Sequence, residues 1–449
     1  AGFRYLLFHV AGGLILLAGI VLRVHHTGSL EFGLIGLDGP GTFLIFLGMG
    51  INCAWPLVHT WLSDAYPEAT ITGTIFLSAF TTKAAVYALA RAYPGTEALI
   101  WIGAVMAVFP IFFAVIENDL RRVLAYSLIN QVGFMVCGIG IGTQMAINGA
   151  VAHAFNDILF KGLLFMSMGA VMYRTGKINA TDLGGLYRTM PLTCIFCIVG
   201  AASISAFPLF SGFVSKSMVM DAAGSEHLRL VWFILLFASA GVFHHAGIKI
   251  PYFAFFSHDS GLRPKEAPRH MLIAMGLAAF LCIFNGSFPQ FLYSLLPYQP
   301  VGYEPYTIPH VLAQTQILFF SALAFALLML SGIYPAEICC VNLDADWFYR
   351  KGGRLFYRFM DATFNRLNKV CDQWLAKDLT GAVNRYCRSA PARIGTWLLM
   401  PLYPVGGDAK GNPQGYRASI RAAIDKGVVP IGLSAAASGL FLLLLFILK

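Results

Sequence analysis

Six ionisable side chains stand inside stretches otherwise apolar enough to span a bilayer: Lys83, His153, Asp157, Lys161, Lys216 and Lys249. An ionisable group at the centre of a membrane helix costs about 3 kcal/mol on insertion scales, so its presence marks an ion or proton path by default. A series in which lysines predominate predicts a proton relay. His153, Asp157 and Lys161 fall at i, i+4 and i+8 of "AVAHAFNDILFKGLLFM", which places them on one helix face. Asp157 is the expected partner of Lys161, and the imidazole of His153 is of a type that passes protons near neutrality. The competing reading is a buried polar network that only packs helices.

Lys83 lies mid-span in "FLSAFTTKAAVYALAR", too far before Arg91 to snorkel easily to an interface. Lys216 follows the interruption in "SISAFPLFSGFVSK" and reads as facing a water-filled half-channel; a surface helix end is the alternative, because Asp221 and Glu226 are near. Lys249, after His244 and His245, has a simple anchor at the helix end as its alternative. His59, Asp64 and Glu68 in "HTWLSDAYPEAT" read as a loop or re-entrant turn at a channel mouth. Arg121 and Arg122 read as interface anchors, behind acidic residues that favour a helix start. Cys194 and Cys197 form a CxxC within an apolar helix that lacks a metal-ligand pattern, so small buried hydrophobes are the better reading. No metal, quinone, flavin or cluster motif is found, and no cofactor is expected.

These side chains need a membrane scaffold, and the composition supplies it. The chain is 57% hydrophobic and only 12% charged, against about 25% charged for a soluble domain. Apolar runs of about 20 residues predict an all-α polytopic protein rather than a barrel. Candidate spans are 3–24, 36–60, 70–91, 97–117, 122–143, 146–173, 191–220, 230–256, 271–296, 311–334 and 428–448. The net charge of +9 needs no nucleic acid to explain it. Alternating the spans gathers Arg4, Arg121, Arg122, Arg174, Lys177, Arg188, Arg263, Lys265 and Arg269 on one face, which positive-inside makes cytoplasmic.

Four regions are expected: a transmembrane domain over 1–296, a further helix and connections over 297–341, a basic amphipathic segment over 342–427, and an anchor over 428–449. In the third, ten Arg and Lys residues from Arg350 to Arg393 interleave with Trp347, Phe348, Phe356, Trp374 and their like near helical period, reading as a helix lying in the interface or along a neighbouring subunit. Two spans are interrupted: 36–60 at Asn52 and Pro56, near His59, and 191–220 at Pro208, Ser211 and Gly212. Broken helices at corresponding positions of two halves point to an inverted-repeat transporter.

The stretches "PLVHTWLSDAYPEAT", "TTKAAVYALAR", "DLRRVLAYSLINQVGFM", "HAFNDILFKGLLF", "DLGGLYRTMP" and "FPLFSGFVSK", in that order across residues 1–290, resemble the proton-conducting antiporter-like proteins. These are the D-type component of Mrp Na+/H+ antiporters, with its relatives in respiratory complex I and membrane-bound hydrogenases. The amphipathic segment and last span resemble the lateral helix and anchor of the largest antiporter-like component of complex I. The resemblance implies two inverted five-helix repeats and a central polar axis. It matches Lys83 with the lysine linking two half-channels, His153 and Lys161 with the central relay, and Lys216 with the Lys or Glu of the second broken helix.

The sequence departs from that pattern three times. Asn52 stands where the family has a lysine, and Asp157 where it has a second histidine. About five family helices, including one with a glutamate that pairs with the missing lysine, precede the point where this sequence begins. They are expected either from a longer chain or from another polypeptide.

The leading expectation is a proton-translocating subunit of a multisubunit monovalent cation/proton antiporter in a bacterial inner membrane. Other membrane subunits would be its partners, and Na+ or K+ coupling is implied by the family alone. The alternative is the membrane arm of a complex I-like or hydrogenase redox-driven pump. A scaffold that has lost transport, and a component of an inorganic-carbon uptake system, are further rivals.

Overall fold

The computed structural model describes residues 1–338, 342–400, 412–427 and 431–447. Among the described residues there is no strand, only one antiparallel bridge between Asp119 and Asn179. The chain divides into two units, Ala1–Trp347 and Phe348–Lys449.

The first unit holds α1 (Gly2–Thr27), α2 (Pro40–Asn52), α3 (Thr60–Glu68), α4 (Ile71–Ala92), α5 (Glu97–Ile116), α6 (Leu120–Ile141), α7 (Gln144–Thr175), α8 (Pro191–Ile204), α9 (Ser211–Ser225), α10 (Arg229–Phe256), α11 (Arg269–Ser287) and α12 (Ile308–Leu330). Eight of these are long and apolar enough to cross a membrane; α2 and α8 are shorter apolar helices. The ends are written locally. Thr70, Asp119 and Thr143 cap their helices by accepting backbone N–H bonds, and α7 stops at Gly176 in the left-handed conformation (φ 68°).

The core forms around α6. From Leu120 to Gly140 every residue except Arg122 is buried, so this helix is packed all round, as a central membrane helix must be. Gly103 and Gly133 let α5 and α6 touch: a Cβ on Gly133 would lie 2.5 Å from the Ala107 amide nitrogen. Helix α7 has 32 residues, or about 48 Å, well beyond the ~30 Å hydrocarbon thickness. It therefore carries side chains through the whole depth.

The two broken spans share a local signature. Ala54-Trp55-Pro56-Leu57 separates α2 from α3, and Ala206-Phe207-Pro208-Leu209 separates α8 from α9. In both, the Ala and Leu are in left-handed backbone, with φ 59° and 71° in the first and 58° and 74° in the second. Such non-glycine residues cost on the order of 1–3 kcal/mol each and persist where surrounding structure fixes them. One point differs from expectation: His59, Asp64 and Glu68 do not form a loop. His59 is the N-cap of α3, and the other two lie within it. The polar stretch conceals a short helix that closes its own backbone bonds, beginning with Leu62 N to His59 O at 2.9 Å.

Helix α13 (Asp346–Met360), which from Phe348 onward belongs to the second unit, runs through π-helical turns at Asp361–Asn365 and Asp372–Leu379 into α14 (Thr380–Leu399). No side chain between Asp346 and Leu379 is buried. Then come α15 (Pro413–Asp425), whose Ile424 side chain meets Gly395 of α14, and the apolar α16 (Ile431–Ile447).

Candidate functional site

At the centre, the Lys83 ammonium of α4 lies 2.5 Å from the Asp157 carboxylate of α7, at 7% and 0% side-chain exposure. Lys83 also donates to the Ser78 carbonyl at 3.0 Å. This corrects the expected Asp157–Lys161 pair. The i, i+4 spacing does put both on one face, but α4 packs against that face and presents its own lysine. Lys161, fully buried, makes no hydrogen bond to protein among the described residues. One carboxylate thus bonds directly to one lysine and attracts the second, Lys161, only through space. At low dielectric, any proton gained or lost here changes the energy of its neighbours.

His153 is wired to hold either charge state. Its Nε2 lies 3.0 Å from Gln131 Oε1, an acceptor, and Gln131 itself donates to Asn130 Oδ1 at 2.6 Å. That chain fixes Nε2 as protonated. Its Nδ1 lies 3.1 Å from Ser215 Oγ, which is also 3.2 Å from the Ser211 carbonyl. When Nδ1 is bare, the Ser215 hydroxyl donates to it. When Nδ1 carries a proton, the hydroxyl accepts and turns its own proton to Ser211. In either state the hydrogen bonds of this network are satisfied, so a change of charge on His153 would require no repacking of these partners.

The second break continues the line. Lys216 of α9 donates to the Ile204 carbonyl at 2.8 Å, placing a cation at the C-terminal end of the half-helix α8, where its dipole favours one. The Lys216 ammonium also lies 5.2 Å from the Phe134 ring centroid. Asn156 of α7 donates to Ser211 O at 2.8 Å and accepts from Asn285 at 3.2 Å, tying the break to α7 and α11. In the first break a neutral group does the equivalent capping: Trp61 Nε1 donates to the Ile51 carbonyl at 3.1 Å. Asn52 accepts from His9 Nδ1 of α1 at 2.8 Å, so a titratable ring stands beside the residue that cannot titrate.

His59, in that same break, lies 3.1 Å through Nε2 from both carboxylate oxygens of Asp344, which also accepts from the Tyr126 hydroxyl at 2.7 Å. Burial works against the Asp344 charge, but the bonds from His59, Tyr126 and the Ala345 N–H outweigh it and hold the carboxyl below the usual aspartate range.

Lys249 is buried with a different set of partners. It pairs with Glu337 at 2.7 Å and donates to the carbonyls of Val115 and Glu117 at 2.7 Å each, closing the C-terminal end of α5. Burial raises the Glu337 carboxyl above its usual range, against the pull of Lys249. Arg121 is not an interface anchor. It is buried, donating to Ala69 O at 2.9 Å and to Thr74 Oγ1, because the end of α3 offers carbonyls that need a donor.

Sequence reasoning misses Gln131, Asn130, Ser215, Glu337 and Asp344. "INQ" inside an apolar helix is a visible signal for the first two. The two carboxylates carry none, since each is an ordinary acidic residue after a span until the fold brings it to a buried base.

Residues 1–255 match the family described as NADH:quinone oxidoreductase/Mrp antiporter, transmembrane. The chain belongs to this antiporter family. Its relatives include the Hydrogenase-4 component B of Escherichia coli, 26% identical over 63% of this chain and 48% of the relative. Another is the A component of the Na(+)/H(+) antiporter of Alkalihalophilus pseudofirmus, 28% identical over 77% and 47%. The match therefore spans under half the length of either relative. Among solved structures, the membrane-bound sulfane sulfur reductase, an archaeal respiratory membrane complex, superposes with a TM-score of 0.65 at 23% identity, covering 86% of this chain and 74% of that one; this establishes a shared fold. The family agrees with the resemblance read from the motifs, though the antiporter relative is an A-type rather than a D-type component. The chain is a multi-pass membrane protein of the antiporter-complex type.

Proposed function

We propose that this chain is a proton-translocating subunit of a multisubunit monovalent cation/proton antiporter. The observation that carries the reading is the buried line Lys83–Asp157, Lys161, His153, Lys216, with His153 bonded so that both its charge states are satisfied. Protons enter one half-channel at a broken helix, pass Lys83, the α7 face and Lys216, and leave by the other. The breaks around Asn52, Pro56 and His59 and around Pro208, Ser211 and Gly212 make backbone irregular at depth, which is tolerated only where protein or a cavity covers it; Trp61 and Lys216 cover the two helix ends by donating to the Ile51 and Ile204 carbonyls. Lys249, with its three backbone and carboxylate partners, sits at the edge of this line as a terminal or anchoring member.

The basic loops and the lateral segment face the cytoplasm of a bacterial inner membrane, and the partners are other membrane subunits. A second reading has a specific basis: a relative named as a hydrogenase component and a fold shared with a respiratory complex. There the same path is driven by electron transfer in other chains. Purifying the native complex and measuring proton uptake in sealed vesicles after a Na+ or K+ pulse, and then after a redox substrate, separates the two. Uptake driven by salt supports the antiporter. Uptake driven only by the redox substrate assigns the path to a redox pump.

A further inference from the structure

Asn52, at the end of α2, carries no titratable proton, yet the first break holds a buried base with a built partner. His59 is 2% exposed and occupies the N-cap position of α3 without a side-chain bond to that helix. Its Nε2 faces the Asp344 carboxylate at 3.1 Å to each oxygen, and Tyr126 donates to the same carboxylate at 2.7 Å. A carboxylate only accepts, so Nε2 carries the hydrogen. The other nitrogen, Nδ1, is buried and bonded to no protein atom among the described residues. The ring packs against Phe109, centroids 4.7 Å apart, which holds its orientation. This is how an acid–base imidazole is built: one nitrogen anchored by a carboxylate, the other presenting a lone pair.

We propose that His59 is the proton-carrying group of the first broken helix and that Asp344 is its positioning residue. Nδ1 takes a proton from water in the break. The resulting imidazolium keeps its Nε2–H on Asp344, whose negative charge offsets the new positive one, and Nδ1 later returns the proton. Nothing but a proton is exchanged, and Asp344 stays ionised throughout. Tyr126 fixes the carboxylate from the α6 side. Asp344 precedes α13, so the residue that orients the base belongs to the segment leading into the amphipathic helix. The other charged groups on the surrounding elements are Asp64 of α3, paired with Arg4 of α1 at 3.0 Å, Asp346 at the start of α13, 3.8 Å from Arg4, and Glu117 at the end of α5, 3.9 Å from Arg122 of α6 and bonded by Asn342 at 3.0 Å.

The inference rests on the proton-transport reading, and the test separates the two. Proton uptake is measured in vesicles holding the intact complex with wild type, His59→Gln, Asp344→Asn, Asp344→Glu, the His59→Gln/Asp344→Asn double variant, and Lys161→Ala as a control away from the break. Assembly of the complex is checked for each. The expected result is a loss of at least about tenfold for His59→Gln and Asp344→Asn, no further loss in the double variant, recovery in Asp344→Glu, and no uptake in Lys161→Ala. The histidine 15N solid-state spectrum of the complex, with His59 assigned by its loss in His59→Gln, should show a protonated Nε2 and a bare Nδ1; in Asp344→Asn the two tautomers should mix.

Wild-type uptake in His59→Gln with Lys161→Ala inactive overturns the inference alone. Additive losses in the double variant, or an unchanged tautomer in Asp344→Asn, overturn the pairing of the two residues. Wild-type uptake in Lys161→Ala overturns the transport reading beneath it.

Discussion

Lys83 and Asp157, from helices α4 and α7, form a buried ion pair 2.5 Å apart, and it is this cross-helix pair rather than a neighbour along α7 that neutralises the one carboxylate of the relay. Removing one partner of a buried pair costs about 3–5 kcal/mol because the other charge is left stranded. Asp157→Asn is therefore expected to reduce assembly of the complex in detergent, as is Lys83→Met. The double variant Lys83→Met/Asp157→Leu should recover assembly while transporting no protons. Blue-native electrophoresis with vesicle proton uptake reads both; single variants that assemble as well as wild type would sink the pairing.

The arrangement at His153 predicts unequal effects for its two partners. Gln131→Leu removes the acceptor that fixes Nε2–H and leaves a buried donor unsatisfied, so it should slow proton uptake by roughly a hundredfold, the scale of one positioned acid–base group, and lower stability by about 1–3 kcal/mol. Ser215→Ala leaves bare Nδ1 tolerable but removes the acceptor for protonated Nδ1, so the slowing should exceed any change in melting temperature. Equal stability loss in both, with uptake unchanged, would mean the network only packs helices.

The second break depends on a glycine. A Cβ on Gly212 would overlap the Ser203 carbonyl oxygen, a backbone atom that cannot swing away. Gly212→Ala should therefore push α8 and α9 apart and stop proton uptake, while Gly261→Ala, in an exposed turn with open space around its Cβ position, should leave uptake unchanged apart from mild strain (φ 75°).

Asp344 has its carboxyl held below the ordinary aspartate value, which is about 3.9 in model peptides. Its contribution to stability is thus fully present above that value and is lost as pH falls through the lower, folded value. Hydrogen exchange over residues 342–347 should show wild type better protected than Asp344→Asn at pH 5 to 7, with the difference shrinking below about pH 4. A difference that grows as pH falls would contradict the sign.

The helices and both breaks are legible because their signals are local: apolar runs for the spans, and Asn52 with Pro56 and Pro208 with Ser211 and Gly212 for the interruptions. The face shared by His153, Asp157 and Lys161 follows from helical period alone. Partner choice does not. Asp157 meets Lys83 because α4 docks on α7, Arg121 turns inward to the end of α3, and Asp344 reaches His59 across 285 residues of sequence. Each is decided by tertiary packing. The short helix α3 is hidden because its polar composition resembles a turn while its backbone is helical.

The central claim is that protons pass along the buried line through Lys161. The most direct measurement is proton uptake by sealed vesicles containing the fully assembled complex, comparing wild type, Lys161→Arg and Lys161→Ala. The account predicts no uptake in Lys161→Ala with assembly intact, and little in Lys161→Arg, whose guanidinium holds charge but does not release protons. Wild-type uptake in Lys161→Ala would contradict it.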